Sequence, residues 1–445
     1  MRKQTITRRD FVKITGAGAV GAAIGPFSLF PERAQAQQKT LKIVQWSHFV
    51  PGFDKWFDGE FAKQWGQKHD TNVVVDHIVT REVNTRGAAE ASARKGHDLF
   101  LFLFPPAAYE NQVIDLTDVY REVERKHGKA IALAHRSTFN AKTKKHFAFS
   151  DSYVPFPGNY RQDLWAEAGY PHGPETYDDL RIGAKKIRDK SGHPCGIGLS
   201  QDNDTSSAVR AILWSFGGAE QDENGNVVIN SKQTIEALKF MRALYQESQT
   251  PEVVTWDETS NNRAMLAGKI SYTMNAISIT RAAEKDNPEM SQKIQLCPAL
   301  KGPARRLSPA NVANHYVIWD FAENKEGAKQ FLVDLVENFA QAFTASEFFG
   351  FPCFPSTVPD LESRLAHDPK ASPQDKYKTL SNVLDWTTNV GYPGYATNAI
   401  NEVASTYVLN TTFAKVARGE MSAEEGAQTA EAQVKRIFER WARGN

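Results

Sequence analysis

Apolar residues recur along this chain with two alternating rhythms. Leu41-Lys42-Ile43-Val44-Gln45-Trp46 is a short β-rich run and predicts a first strand. Phe53, Trp56, Phe57, Phe61 and Trp65 then return at the spacing of one helical face, so these aromatics are expected mostly in the core. Asn72 to Val79 is β-rich again. Asp98-Leu99-Phe100-Leu101-Phe102-Leu103-Phe104 is a continuous apolar run closed by Pro105-Pro106, the pattern of a central parallel strand buried on both faces. Strand, helix, strand, helix, strand predicts a parallel α/β sheet.

Phe147 to Asn159 is short, β-like and broken by Pro155, Pro157 and Gly158. It reads as the first crossing between two lobes. Pro174-Glu175-Thr176 opens a helix from Tyr177 to Lys190, with Thr176 as N-cap and Asp178 and Asp179 where the helix dipole favours them. Ser231 caps a further helix whose buried stripe is Ile235, Leu238, Met241, Leu244 and Tyr245. Helices are also expected from Lys325 to Glu337 and from Ser422 to Trp441. There is no low-complexity segment and no internal repeat.

The first 36 residues follow a different pattern. Thr7-Arg8-Arg9-Asp10-Phe11-Val12-Lys13 precedes a Gly/Ala-rich apolar run from Ile14 to Phe30, then Ala34-Gln35-Ala36. A basic start, a short apolar core and a small-x-small site predict an export signal, and the paired arginines make it a twin-arginine signal. Residues 1–36 are expected to be removed, leaving a chain that starts near Gln37 and reaches the periplasm through the twin-arginine export machinery. The apolar run is at the lower edge of what spans a bilayer and is Gly-rich. No cysteine stands near the cleavage site to carry a lipid.

Taking the six basic and two acidic residues of that segment from the 53 basic and 52 acidic of the chain leaves a net charge of −3. That balance argues against a nucleic-acid binder, which needs a basic surface to displace counterions. The remaining length is more than one core usually organises, so two lobes are expected. Cys195, Cys297 and Cys353 are scattered. They form neither a metal-ligand spacing nor a disulfide framework, and whether two of them pair stays open.

Several segments, in order, resemble the extracellular solute-binding proteins of ABC importers, specifically the large carbohydrate-binding family that includes maltose- and glycerol-phosphate-binding proteins. Tyr160-Arg161-Gln162-Asp163-Leu164 through Ala168-Gly169, followed by Pro174-Glu175-Thr176-Tyr177-Asp178-Asp179-Leu180, is similar to that family's "YNKDLFEKAG…PKTWDEL". Trp214-Ser215-Phe216-Gly217-Gly218 with Asn230-Ser231 and Glu236-Ala237-Leu238 resembles its "W..GG…lnspeaieAL". Met265-Leu266-Ala267-Gly268-Lys269 to Asn275, Asn324-Lys325-Glu326-Gly327-Ala328 and Ser422-Ala423-Glu424-Glu425 look like its later motifs. The set spans nearly the whole chain after the signal.

The resemblance implies a two-lobed periplasmic-binding-protein fold of α/β lobes, joined by two or three hinge crossings, with ligand captured in the cleft by lobe closure. The expected lobes are 37–152 with 277–335, and 153–276 with 336–445. The implied partners are a small-molecule ligand (a sugar, polyol or sugar phosphate) and ABC permease subunits at the inner membrane. The protein is expected to act as a monomer, with no cofactor, no metal and no catalysis. The sequence departs from the family at Arg161, where Asn is usual. Ile277-Ser278 stands where Gly or Pro and a stacking Trp are common, and Asn314-His315 replaces a glycine pair. The last two changes predict a pocket with less stacking and more hydrogen bonding, suited to a smaller or more polar ligand than an oligosaccharide.

A sugar site needs aromatic faces for C–H surfaces and charged or amide groups for hydroxyls, at the carboxyl ends of strands. Trp46, Ser47 and His48 follow the first strand, and Phe104 ends the buried one. Tyr153 sits at the expected hinge. Asp204 lies in the Asp202-Asn203-Asp204 cluster, which also reads as a turn and cap. Trp256 stands in a polar loop. Asn275 and Ser278 fall at the second crossing, Asn314 and His315 precede a strand, and Tyr395 belongs to the turn Tyr392-Pro393-Gly394-Tyr395. Arg305-Arg306 and the run Lys142 to His146 read as solvent-facing.

Two other function classes stay open on sequence. An exported glycosidase or lyase would need paired carboxylates, which one sequence does not display; no HExxH, GxSxG or nucleophilic Cys pattern occurs. A binder of polyamines or peptides on the same fold would use carboxylate clusters, which Asp202 and Asp204 supply only thinly.

Overall fold

The computed structural model describes residues 39–443; the arginine pair, the apolar run and the cleavage site expected before residue 37 lie outside the described residues. Strands β1 (Lys39–Trp46), β2 (Thr71–Ile78) and β3 (Leu99–Phe102) stand where the sequence places them. β1 pairs in parallel with both β2 and β3. All four β3 residues are buried, as an uninterrupted apolar run requires.

The sheet also carries a strand outside the parallel pattern. β8 (His315–Ile318) joins the free edge of β3 antiparallel, giving the order β8-β3-β1-β2. It returns from a distant part of the chain rather than from a crossover helix, so nothing forces it to run parallel. A second sheet is antiparallel throughout, with β5 (Gly158–Arg161) between β6 (Tyr272–Met274) and β7 (Ile294–Cys297). Between them in sequence, β4 (Ser152–Tyr153) pairs with β9 (Phe351–Pro352).

The aromatic face after β1 is helical, but not uniformly so. Pro51–Trp56 and Lys63–Lys68 are α-helical, and Phe57–Ala62 between them is a π turn. Phe53, Phe57, Phe61 and Trp65 are each four residues apart, a spacing that drifts around a helix of 3.6 residues per turn. The wider π turn absorbs that drift and keeps the four rings buried together.

The helices read from sequence end where their caps place them. α1 (Tyr177–Ser191) starts from Thr176, whose hydroxyl accepts from Asp179 N at 3.0 Å while Asp179 accepts from Thr176 N at 2.9 Å. α2 (Asn203–Ser215), α3 (Lys232–Ser248) and α5 (Lys325–Glu337) are capped by Asp202, Ser231 and Asn324. Between the last two, α4 (Ser278–Asp286) follows β6. The C-terminal part holds α6 (Asn398–Ser405), α7 (Val408–Ala417) and α8 (Ala423–Ala442), the last with a Ser422–Glu425 capping box. Each such cap is worth about 1 kcal/mol.

Buried side chains separate into two large cores. Those through Val154 pack with the first sheet, and Phe156 begins the second core. Tyr272 and Met274 belong to the second, Ala276 and Ile277 to the first. The C-terminal third does not follow the expected boundary at 336. Phe339, Phe343, Phe351, Tyr377 and Trp386 all pack in the first core, and only from Ala399 onward does the chain join the second. The reason is the aromatic surface near β1: His48 meets Phe349 edge-on at 5.0 Å, and β9 closes onto β4.

All three cysteines are free and buried, with 0–3% of their surface exposed. Burial pushes the Cys297 thiol up to about 12 and raises the other two as well, so they remain protonated thiols. Among the described residues no helix is long and apolar enough to cross a membrane.

Candidate functional site

β1 and β3 run parallel, so Trp46 and the Phe102–Phe104 segment leave the first sheet at the same edge. Two elements of the second core meet this edge. The first is the start of α2, where Asp202 accepts from Thr205 N at 3.0 Å. The second is the break between α6 and α7 at Tyr407, a non-glycine residue with φ +54°. Asn84 and Phe104 face Asn203, Ser206, Asn401 and Tyr407 across a cavity of about 10 Å³, roughly the least that holds a water. The seam is shut.

A hydrogen-bonded chain of amides lies behind the seam. Asn261 donates to Asp204 at 2.8 Å. Asn275 donates to Asn261 at 3.0 Å and to Asn262 at 2.6 Å, and Asn262 donates to Ser278 at 3.1 Å. Asn275 Oδ1 in turn accepts from the Ala276 amide. Asp204, Asn275 and Ser278, three of the residues singled out by sequence, are thus joined through two that were not. Burial, with the neighbouring Asp202 charge adding to it, holds the Asp204 carboxyl well above the usual range. A ligand hydroxyl or ammonium donating to it would offset that cost.

A second small cavity, about 20 Å³, adjoins Trp46, His48, Asp151, Ser152, Asn314 and Phe349. Asn314 donates to Ser152 Oγ at 2.9 Å, and burial raises Asp151 to about 6. His48 is committed to its own turn. Its Nδ1 accepts from Val50 N at 2.9 Å, its ring stacks on Phe53 at 4.7 Å, and its amide donates to Asp54. Ser47 is exposed at the strand end, its amide donating to Ile78 O at 2.8 Å.

His315 opens β8 opposite Phe102 and borders a third small cavity, shared with Phe104. It is 1% exposed, and neither ring nitrogen has a well-formed hydrogen bond. Burial pulls its pKa down to about 3. The folded state therefore binds fewer protons than the unfolded state below the unfolded pKa of about 6.5, so this residue costs stability as pH falls through that value. The stability advantage of the wild type over His315→Gln should shrink by roughly 2–3 kcal/mol between pH 7 and pH 4.5. Urea unfolding at the two pH values checks this; a pH-independent difference would show that His315 titrates normally.

The other sequence candidates stand apart from the seam. Tyr153 is buried in β4 with its ring 5.9 Å from Phe351. Trp256 lies over Gly196 and Ile270; a Cβ at residue 196 would come within 2.5 Å of the indole. Tyr395 borders a separate, larger cavity with Phe139. Sequence reasoning missed Asn84, Ser206, Asn261, Asn262 and Tyr407. Asn261-Asn262 was the one readable signal, a polar pair entering the short helix Ser260–Leu266.

Residues 50–341 match the family profile described as bacterial extracellular solute-binding protein. A binding protein of Brucella abortus (strain 2308) is 24% identical over 193 residues, 43% of this chain. The chain spans 46%, less than half, of that relative's length. Maltose-bound T. maritima MalE3 superposes with a TM-score of 0.73 at 19% identity, covering 89% of this chain and 99% of its own. An ABC transporter solute-binding protein from Agrobacterium radiobacter K84 in complex with ribitol gives 0.70 at 18%, over 90% and 99%. Both share the two-lobed fold.

Proposed function

Because the chain belongs to the bacterial extracellular solute-binding protein family, we propose that it is the periplasmic substrate-binding component of an ABC importer, exported by the twin-arginine route and specific for a carbohydrate or polyol. The two cores are its lobes in this reading: the chain leaves the first near residue 155, comes back near 275, re-enters the second between 277 and 297, returns to the first between 300 and 310, and joins the second again between 386 and 399. Ligand would enter between the edge of the first sheet and the start of α2, and the lobes would close on it by hinge motion. It delivers that ligand to a permease without altering it.

The observation that carries the reading is the seam itself. Phe104 offers one aromatic face from the first core, and Tyr407 another from the second. Asn84, Asn203 and Ser206 stand between them, backed by the Asp204–Asn261–Asn275 chain. Aromatic faces and fixed amides are what a polyhydroxylated ligand requires, since each buried hydroxyl or partner left unpaired costs about 1–3 kcal/mol. The bound ligands of the two solved relatives, maltose and ribitol, fall in the same class. Ser278, which stands where a stacking Trp is common in the family, favours the smaller, more polar end of that range.

Thermal unfolding of residues 37–445 against sugars, polyols, sugar phosphates, amino acids and polyamines tests this. A ligand at about 1,000 times its dissociation constant adds roughly 4 kcal/mol to the folded state. The expected result is an upward shift with one sugar or polyol class, lost in Phe104→Ala, with the ligand recovered intact. Consumption of the ligand would make the protein an enzyme. A shift with amines or peptides alone would leave the fold standing and overturn the ligand class.

A further inference from the structure

A cavity of about 710 Å³ opens at the other end of α6 from the seam. Its volume is within the range of small-molecule sites. Ala107, Phe139 and Phe147 form one wall, from the first core or packed beside it. The 221–227 turn, Thr397–Ala399 and the C-terminal turns of α8 form the other. We propose that this groove is a second binding site, separate from the seam, for a neutral saccharide.

The lining carries the choice of ligand. Phe139, Tyr395, Phe438 and Trp441 present aromatic surface, and Asn140, Asn224, Asn226 and Asn398 present amides. The charged residues of the lining, Lys142 and Lys435 against Glu223 and Glu439, balance to no net charge, and Lys435 pairs with Glu431 at 2.9 Å and Glu439 with Arg443 at 3.8 Å. A lining with no excess of either charge gives a charged ligand no net attraction, and a neutral one loses nothing by it. Gln221, fully buried in the wall, donates to Gly391 O at 2.7 Å and Tyr395 O at 2.9 Å, while its Oε1 has no donor. A ligand hydroxyl would supply the missing donor once the side chain turns its Oε1, closed off in this structure, toward the groove.

The groove is also coupled to the seam through packing. Val390, Ile400 and Ala404 form a small cluster on which Phe104 packs from the seam and Phe438 from the groove. α6 rests on the Ala107–Gln112 turn between the two cavities. A ligand that holds Phe438 in place therefore biases the contact that Phe104 makes, and by linkage each site alters the affinity of the other.

Isothermal titration of the exported, full-length mature protein with maltose, cellobiose and trehalose tests the proposal, using wild type, Phe438→Ala, Tyr395→Ala and Phe104→Ala. The expected result is a saccharide-binding event weakened about tenfold by Phe438→Ala and by Tyr395→Ala, and retained in Phe104→Ala. Unchanged melting of Tyr395→Ala keeps the test independent of any folding defect in Phe438→Ala. Saccharide binding lost only in Phe104→Ala would overturn the second site while leaving the seam reading intact. Binding of the hydrophobic dye ANS to the groove with no response to any saccharide would overturn the ligand class. If no saccharide binds the wild type, the groove proposal fails at once, whereas the seam reading fails only if no sugar, polyol or sugar phosphate of the wider panel shifts the melting midpoint.

Discussion

Replacing Glu220 with glutamine is expected to destabilise the protein by about 3–5 kcal/mol. Glu220 and Arg210 face each other at 2.7 Å with 0% and 2% of their side chains exposed. Glu220 also accepts from the Trp214 indole at 3.0 Å, and Arg210 donates to Ser206 O at 3.1 Å. Glutamine keeps the shape but leaves a guanidinium buried without a counter-charge, and that uncompensated charge is what dominates. The double variant Arg210→Met, Glu220→Gln should recover most of the loss, because it removes the orphaned charge as well. Urea unfolding of the two single variants and the double variant closes the cycle. Equal losses in the single and double variants would mean that the indole contact, not the ion pair, carries the energy. Arg210 and Ser206 both belong to α2, so a loosened pair should also weaken any ligand held by the start of that helix.

Replacing Arg281 with methionine should cost a similar amount, about 3–5 kcal/mol, but with a pH dependence of its own. Arg281 reaches Glu284 at 2.8 Å and Asp368 at 2.6 Å, with all three side chains 4–6% exposed. It donates to Glu347 O at 2.8 Å and lies 4.0 Å from the Tyr377 ring centre. Without it two buried carboxylates keep only Lys376, 3.7 Å from Glu284, and burial already pulls that ammonium down to about 8. Carboxylates in that state have folded pKa values above their unfolded ones, so the folded protein binds protons as pH falls and regains stability. The loss should therefore be larger at pH 8 than at pH 5. A loss that is equal at both pH values would show that packing against Tyr377 and Phe348, not charge, is what Arg281 supplies.

Local signals in this sequence translated into structure wherever a few neighbouring residues decide the outcome. Thr176, Ser231 and Ser422 cap their helices because the hydroxyl and the amide it serves are three residues apart. The Trp214–Gly218 motif is legible for the same reason: Gly217 takes φ +95° to end the helix, and a Cβ on Gly218 would come within 2.6 Å of Leu213. Phe104 and the Asp202–Asp204 segment were legible as strand-end and helix-start positions. What escaped depends on distant partners. The segment from Phe339 to Trp386 is apolar enough for either core, and its choice rests on aromatics near β1 some 300 residues earlier. Trp256 stands in a polar loop of the sequence as a candidate ligand contact; Gly196, far away in sequence, leaves the space that it fills. Tyr407 breaks two helices without glycine or proline, so no residue type announced it, and Asn261 matters only because Asp204 is folded against it.

The three buried thiols set an order of events. An odd number of cysteines, exposed on an unfolded chain in an oxidising compartment, can pair wrongly or couple to another molecule. Once the two cores have closed, Cys195, Cys297 and Cys353 are shielded from solvent and held as protonated thiols, whereas attack on a disulfide needs a thiolate that is both deprotonated and accessible. Folding and oxidation are thus in a race, and the chain is safe only where folding finishes first. Folding in a reducing compartment and crossing the membrane already folded would decide that race before it begins.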